Sequence, residues 1–147
     1  MLRRQILAAL PLALAATAAQ ANEGGGEGKK TEERWVDLAP VALPIAVDGK
    51  LINYVFCSLR VNLTAAADPA KMRAKEPWFR DAIVRAGHRT PFTLATDYTR
   101  IDEARLKASL LREAGAIIGP RNVASVALMR QDPKQRSRLP RPPGAAR

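Results

Sequence analysis

The run from Leu51 to Leu63, LINYVFCSLRVNL, alternates between two faces along its whole length. Leu51, Val55, Cys57, Leu59, Val61 and Leu63 fall on one side, with Asn53 as its only polar member. Ile52, Tyr54, Phe56, Ser58, Arg60 and Asn62 fall on the other, which turns polar toward its end. A period of two is the signature of a β-strand, and one continuous apolar side demands a cover, so the strand is expected to be half covered by helices. The preceding run, Trp35 to Val47, is extended and interrupted by Pro40 and Pro44. Proline has no N–H for a ladder, so this strand belongs at a sheet edge or contains a bulge. Asp48-Gly49 joins the two runs, and both residues tolerate the positive φ that a type I′ turn requires, which predicts a tight hairpin.

Helical signals follow. Asp68 before Pro69 matches an N-cap followed by proline at the first helical position, with Ala70 to Glu76 continuing the helix until Pro77 breaks it. Trp78 to His88 puts Phe79, Ile83 and Ala86 on one stripe, with Arg80, Asp81 and Arg85 outward. Residues 90–98 read as a connecting loop, and Thr99-Arg100-Ile101-Asp102 as a capping arrangement for a helix from Arg100 to Ile118. That helix carries Leu106, Leu110, Ala114 and Ile117 on one stripe, places Glu103 four residues before Lys107, and stops at Gly119-Pro120. Val123 to Met129 form the last strand, with Val126 and Leu128 on one side and Val123 on the other. The expected fold class is α+β in the order ββ-α-α-β: a small antiparallel or mixed sheet, made of the hairpin and the C-terminal strand, packed against two main helices.

The ends of the chain differ from its middle. Residues 1–21 have Arg3 and Arg4 ahead of an Ala-rich apolar stretch, then Ala19-Gln20-Ala21, with small residues at both positions a signal peptidase reads. This predicts a cleavable export signal and a periplasmic destination. The alternative is an uncleaved segment anchoring the protein in the inner membrane, although the stretch is short for a span and broken by Pro11. The paired arginines suit either the general secretory or the twin-arginine route. Residues 22–33, NEGGGEGKKTEE, lack apolar side chains and read as a flexible tether. Residues 131–147 carry Lys134, Arg136, Arg138, Arg141 and Arg147 among prolines and read as a disordered basic tail. All three Phe, both Trp and both Tyr fall within 34–130, which is therefore the folded domain.

Composition argues against most enzyme chemistries. A single Cys rules out an intramolecular disulfide and a multi-thiolate zinc site, and a single His rules out a His-pair metal site. His88 and Asp81 are seven residues apart, too far along a helix for a direct hydrogen bond, so His88 reads as a helix-terminus residue. Cys57, within an apolar strand, reads as a small buried hydrophobe. Asp102 and Glu103 point about 100° apart on a helix and complement its first turn. No catalytic, metal-binding or cofactor-binding residue is expected.

The order of pieces over 34–130 resembles the FliL family of flagellar basal-body-associated proteins, whose periplasmic domain has a stomatin-like α+β core. Arg34-Trp35-Val36-Asp37-Leu38 with Pro40 is similar to the family's opening strand, and Ile52 to Leu63 to its long second strand. Phe79-Arg80-Asp81-Ala82-Ile83-Val84 resembles its Arg-Asp-bearing helix, and Leu106 to Ile118 followed by Val123 and Val126 resembles its ending. Where the family has a transmembrane helix, this chain has the export-signal pattern. The resemblance implies a non-enzymatic scaffold that assembles with motor or stator components and with copies of itself. It brings no catalytic residues.

A formal charge of +10 draws the chain toward anionic partners. Arg80, Arg85, Arg89, Arg100, Arg105 and Arg112 would build a basic face for lipid phosphates, an acidic peptide or a polyanion if the two helices are neighbours. Their interleaving with Asp81, Asp102, Glu103 and Glu113 favours an ordinary solvated surface. The corresponding alternative function is an exported binding module for an anionic ligand, lipid surface or acidic protein, unrelated to motility. The basic tail suits peripheral contact with anionic membrane, and export leaves nucleic acid an unexpected partner.

Overall fold

The computed structural model describes residues 34–143. The expected export signal, with Ala19 and Ala21, and the expected tether at 22–33 lie outside the described residues. The chain is α+β: strands β1 (Trp35–Val47), β2 (Lys50–Leu63) and β3 (Val123–Pro133) form one antiparallel sheet in the order β1-β2-β3. Helices α1 (Pro69–Arg73), α2 (Glu76–Arg89) and α3 (Glu103–Ile118) intervene between β2 and β3.

The hairpin turns where expected. Asp48 and Gly49 have φ of 49° and 74°, and Val47 pairs with Lys50 across them. Both turn residues sit in the left-handed region, the geometry whose twist matches the flanking strands. β1 is an edge strand and also bulged: Ala39 and Pro40 together face Ser58, between the pairs Leu38↔Leu59 and Val41↔Cys57. Its outer edge is closed by side chains as well as prolines. Ala39 N–H donates to Glu76 Oε1 at 3.0 Å, and Thr93 Oγ1 accepts from Ala46 N–H at 3.1 Å while donating to its carbonyl at 2.8 Å. An edge treated this way is a poor template for an added strand.

Burial follows the alternation of β2 with informative exceptions. Asn53, Val55, Cys57, Leu59, Val61 and Leu63 are buried, but Leu51 is 54% exposed. Ile52 is an extra residue between the pairs Ile45↔Asn53 and Ala46↔Leu51, so the alternation reverses at the turn. A second bulge places Ala124 between the pairs Leu63↔Val123 and Asn62↔Ser125. It brings Val123 to the same core side as Val126, correcting the expectation that they face opposite ways.

Phe79 and Ile83 of α2 and Leu106, Leu110 and Ala114 of α3 complete one core cluster with Leu43, Ile45, Val55, Cys57, Leu59 and Val61. Each fully buried large side chain here contributes about 1.5–3 kcal/mol over leaving it in water. Gly87 allows the close approach of α2 to β1: a Cβ there would lie 3.0 Å from Leu43 Cδ2 and 3.4 Å from Phe92 Cε2.

Three boundaries move. α1 ends at Arg73, and Pro77 lies in the first turn of α2, where its missing N–H costs nothing, so it begins a helix instead of breaking one. α3 starts at Glu103, capped by Asp102, whose Oδ1 accepts from Arg105 N–H at 3.1 Å. Thr99 is occupied elsewhere, donating from both N–H and Oγ1 to Asp97. The expected tail does not begin at 131, because β3 continues to Pro133, opposite Val55, and Leu139 packs against the core. The polar Gln131 and Asp132 continue the ladder because backbone pairing with β2 does not require apolar side chains.

Candidate functional site: an arginine-lined cleft between two helices

α2 and α3 neighbour each other, and the C-terminal turn of α2 forms a cleft with the middle of α3. The cleft has a volume of about 310 Å³. Arg89 and Thr90 come from the end of α2, and Arg105, Ala108, Ser109, Arg112 and Glu113 from α3; Ala86 and Phe92 supply apolar lining. Arg105, Ser109 and Arg112 follow i, i+4, i+7 spacing, which keeps them on one helical face. Phe92 is fixed from behind: its carbonyl accepts from Asp102 N–H at 2.8 Å, and Thr93 next to it bridges to Ile101. The loop that carries Phe92 is thus tied to the residues just ahead of α3.

Three of the six arginines assigned to a basic face line this cleft, namely Arg89, Arg105 and Arg112. The other three do not. Arg80 pairs with Glu76 at 3.8 Å and Arg85 with Asp81 at 2.6 Å, each along α2 itself. Arg100 is exposed ahead of α3 and does not line the cleft. Arg89, Arg105 and Arg112 are all exposed, and pairing with carboxylates differs along this surface. Among the described residues no carboxylate lies within 4.0 Å of the Arg89, Arg105 or Arg112 guanidinium. The acidic residues expected to interleave are used elsewhere: Asp102 caps α3, and Glu103 pairs with Lys107 at 2.5 Å. Glu113 alone of that set lines the cleft. Arg112 Nη2 donates to Ser109 Oγ at 3.4 Å, a long contact that leaves most of its donors available.

Ser109, Thr90 and Phe92 were not legible as site residues. Ser109 is a buried polar residue in an apolar stripe, and that break in the pattern was the available signal.

The remaining reactive side chains stay apart. His88 Nδ1 donates to the Val84 carbonyl at 2.9 Å on the exposed side of α2. Cys57 is fully buried, and burial pushes its thiol up to about 12 from an ordinary 9.0. On the sheet face away from the helices, Arg60 forms two hydrogen bonds to Asp37, at 2.5 and 2.9 Å, and stacks over Trp35 at 4.6 Å. The Arg60 hydrogen bond holds the Asp37 carboxyl below its usual range. No group of three or more His, Cys, Asp or Glu suited to a metal ion occurs among the described residues. No described helix is long and apolar enough to cross a membrane. No protein-family model matches the chain, and no curated protein matches it.

Proposed function

We propose that this protein is an exported, non-enzymatic accessory protein of the FliL type, which works by holding an acidic protein partner in the α2–α3 cleft. The observation that carries the reading is a contrast between arginines. Arg60, Arg80, Arg85, Arg130 and Arg136 each have a carboxylate partner, whereas Arg89, Arg105 and Arg112 share a cleft with none within reach among the described residues. Exposed guanidinium groups lining one cleft without a paired carboxylate are open to charge-assisted hydrogen bonds from a carboxylate-bearing partner. The resemblance over 34–130 supports a partner among flagellar motor or stator components at the periplasmic side of the inner membrane. Self-association accompanies that role, and Lys134, Arg136, Arg138 and Arg141 add peripheral contact with anionic lipid.

Affinity capture from cell envelopes tests this. Wild-type protein should co-purify identified stator or basal-body components, and a triple Arg89→Ala, Arg105→Ala, Arg112→Ala variant should not. Equal recovery with both proteins would remove the cleft from the interaction. Absence of motor components from the wild-type sample would remove the motility role.

A second reading, an exported module for a small anion, draws support from the hydroxyls of Ser109 and Thr90 beside the arginines. It predicts a rise in melting temperature with inorganic phosphate or a small polycarboxylate, without any protein partner.

A further inference from the structure

We infer that two copies of this chain join along the outer edge of β3, antiparallel and two-fold symmetric about Ala127, so that their two sheets become one. The inference deepens the self-association named above and is independent of the arginine cleft. Of the sheet's two edges, β1 is closed by its prolines and by Glu76 and Thr93. β3 is the other edge. Its backbone pairs with β2, and no other group bonds to its outer side among the described residues. The alternation of an antiparallel ladder fixes which groups point outward. Lys134 N–H donates to the Tyr54 carbonyl and Leu63 N–H to the Arg34 carbonyl, so from Tyr54 on the even-numbered residues of β2 bond β3 and the odd-numbered ones bond β1. Ser125 and Ala127, paired with Asn62 and Arg60, therefore bond inward, and the N–H and C=O of Val126 and Leu128 point away from the sheet. Met129, an extra residue between the pairs Ser58↔Arg130 and Leu59↔Leu128, ends this regular stretch and is 54% exposed beside it. A second copy is the occupant this edge selects. With one open edge per chain, pairing between copies joins β3 to β3 and closes at two. An axis at Ala127 sets Val126 against Leu128 of the second copy, each pair exchanging both hydrogen bonds. Ala127 then meets itself in the close, non-hydrogen-bonded position, where a small side chain fits. The charge pattern agrees: in a chain with 24 Lys and Arg, the segment 122–129 has no charged residue, so no like charges face each other between two basic copies.

Sedimentation equilibrium of the purified full chain tests this. The wild type should show a monomer–dimer equilibrium without larger species, and added salt should strengthen the dimer, because screening weakens the repulsion between two basic chains. Ala127→Lys opposes two ammonium groups at the axis and should weaken the dimer about fivefold, the scale of one like-charge pair across a ladder. Ala127 lies opposite Arg60 on the sheet face away from the helices, so the variant keeps the core, and circular dichroism verifies its fold. Ala127→Cys should give a disulfide-linked dimer on oxidation, since Cα atoms facing in a close pair are within disulfide reach. Ser125→Cys, two residues off the axis, should not, and the buried Cys57 stays out of the reaction. A monomer at every concentration, assemblies larger than two, or a dimer that salt weakens would overturn the inference. So would cross-linking of Ser125→Cys as readily as Ala127→Cys. The triple arginine variant should dimerise like the wild type, so loss of envelope capture and loss of the dimer are separate failures; a dimer lost with those arginines would move the interface away from β3.

Discussion

Asn53 and Gln135 hold each other by two hydrogen bonds: Asn53 Nδ2 donates to the Gln135 carbonyl at 2.9 Å, and Gln135 N–H donates to Asn53 Oδ1 at 3.1 Å. The same amide also donates to the Tyr98 carbonyl at 3.1 Å and accepts from Tyr54 N–H at 2.9 Å. Asn53 is 4% exposed. The one polar residue on the apolar side of β2 is therefore the point where the sheet, the loop before α3 and the chain beyond β3 are joined. Lys134 N–H, which donates to the Tyr54 carbonyl at 2.8 Å, extends the join by one residue.

Replacing Asn53 by Leu preserves size but leaves backbone donors and acceptors at Tyr54, Tyr98 and Gln135 without their partner. Unfolding free energy should fall by about 2–3 kcal/mol, the cost of stranding such groups. Urea denaturation measures the loss, and hydrogen exchange should show faster exchange at Gln135. Asn53→Asp should be destabilising too, since a carboxylate cannot donate to the two carbonyls. Wild-type stability in Asn53→Leu would show that this amide does not hold the segment.

Two helical glycines should respond oppositely to alanine. At Gly87 the new methyl meets Leu43 Cδ2 at 3.0 Å and Phe92 Cε2 at 3.4 Å inside the packed core. Overpacking there should outweigh the better helix propensity and destabilise by about 1–2 kcal/mol. At Gly115 the nearest atoms belong to Pro120, at 3.6–3.9 Å, an ordinary contact. Gly115→Ala should therefore stabilise by about 0.5–1 kcal/mol. Thermal melts of the two variants check both signs, and a destabilising Gly115→Ala would contradict the spacing between α3 and Pro120.

Cys57 should be inert in the folded protein. Burial raises its thiol to about 12, so near neutral pH the native state holds almost no thiolate, and alkylation should proceed only through unfolding. The same shift makes stability fall with alkali. Above 9.0 the unfolded chain releases this proton, while the native chain retains it until about 12, so the unfolded state is favoured progressively across that window. The wild type's advantage over Cys57→Ala should shrink by about 1 kcal/mol per pH unit there. Denaturation curves for both proteins at two alkaline pH values measure it. A constant difference would mean that the thiol is not desolvated.

The hairpin, the two main helices and the returning strand were legible because each rests on local chemistry. Asp48-Gly49 specifies its turn, β2 alternates with period two, and Asp68 caps a helix from within a few residues of sequence. Positions that depend on register were not legible. Leu51 faces solvent and Val123 faces the core because single-residue bulges reverse the alternation, and an inserted residue in a ladder is defined only by the strand opposite. The candidate site divides in the same way. That arginines cluster on α2 and α3 is plain from their spacing. Which of them are neutralised depends on rotation about each helix axis and on where the acidic residues are spent. Arg80 and Arg85 have carboxylates four residues away along their own helix. Arg89, Arg105 and Arg112 line one cleft because the last turn of α2 packs beside the middle of α3, and Gly87 in that turn lies close against Leu43 and Phe92. Short-range rules therefore sufficed for the elements, while the cleft arises from close packing between residues distant along the chain, which no local pattern encodes.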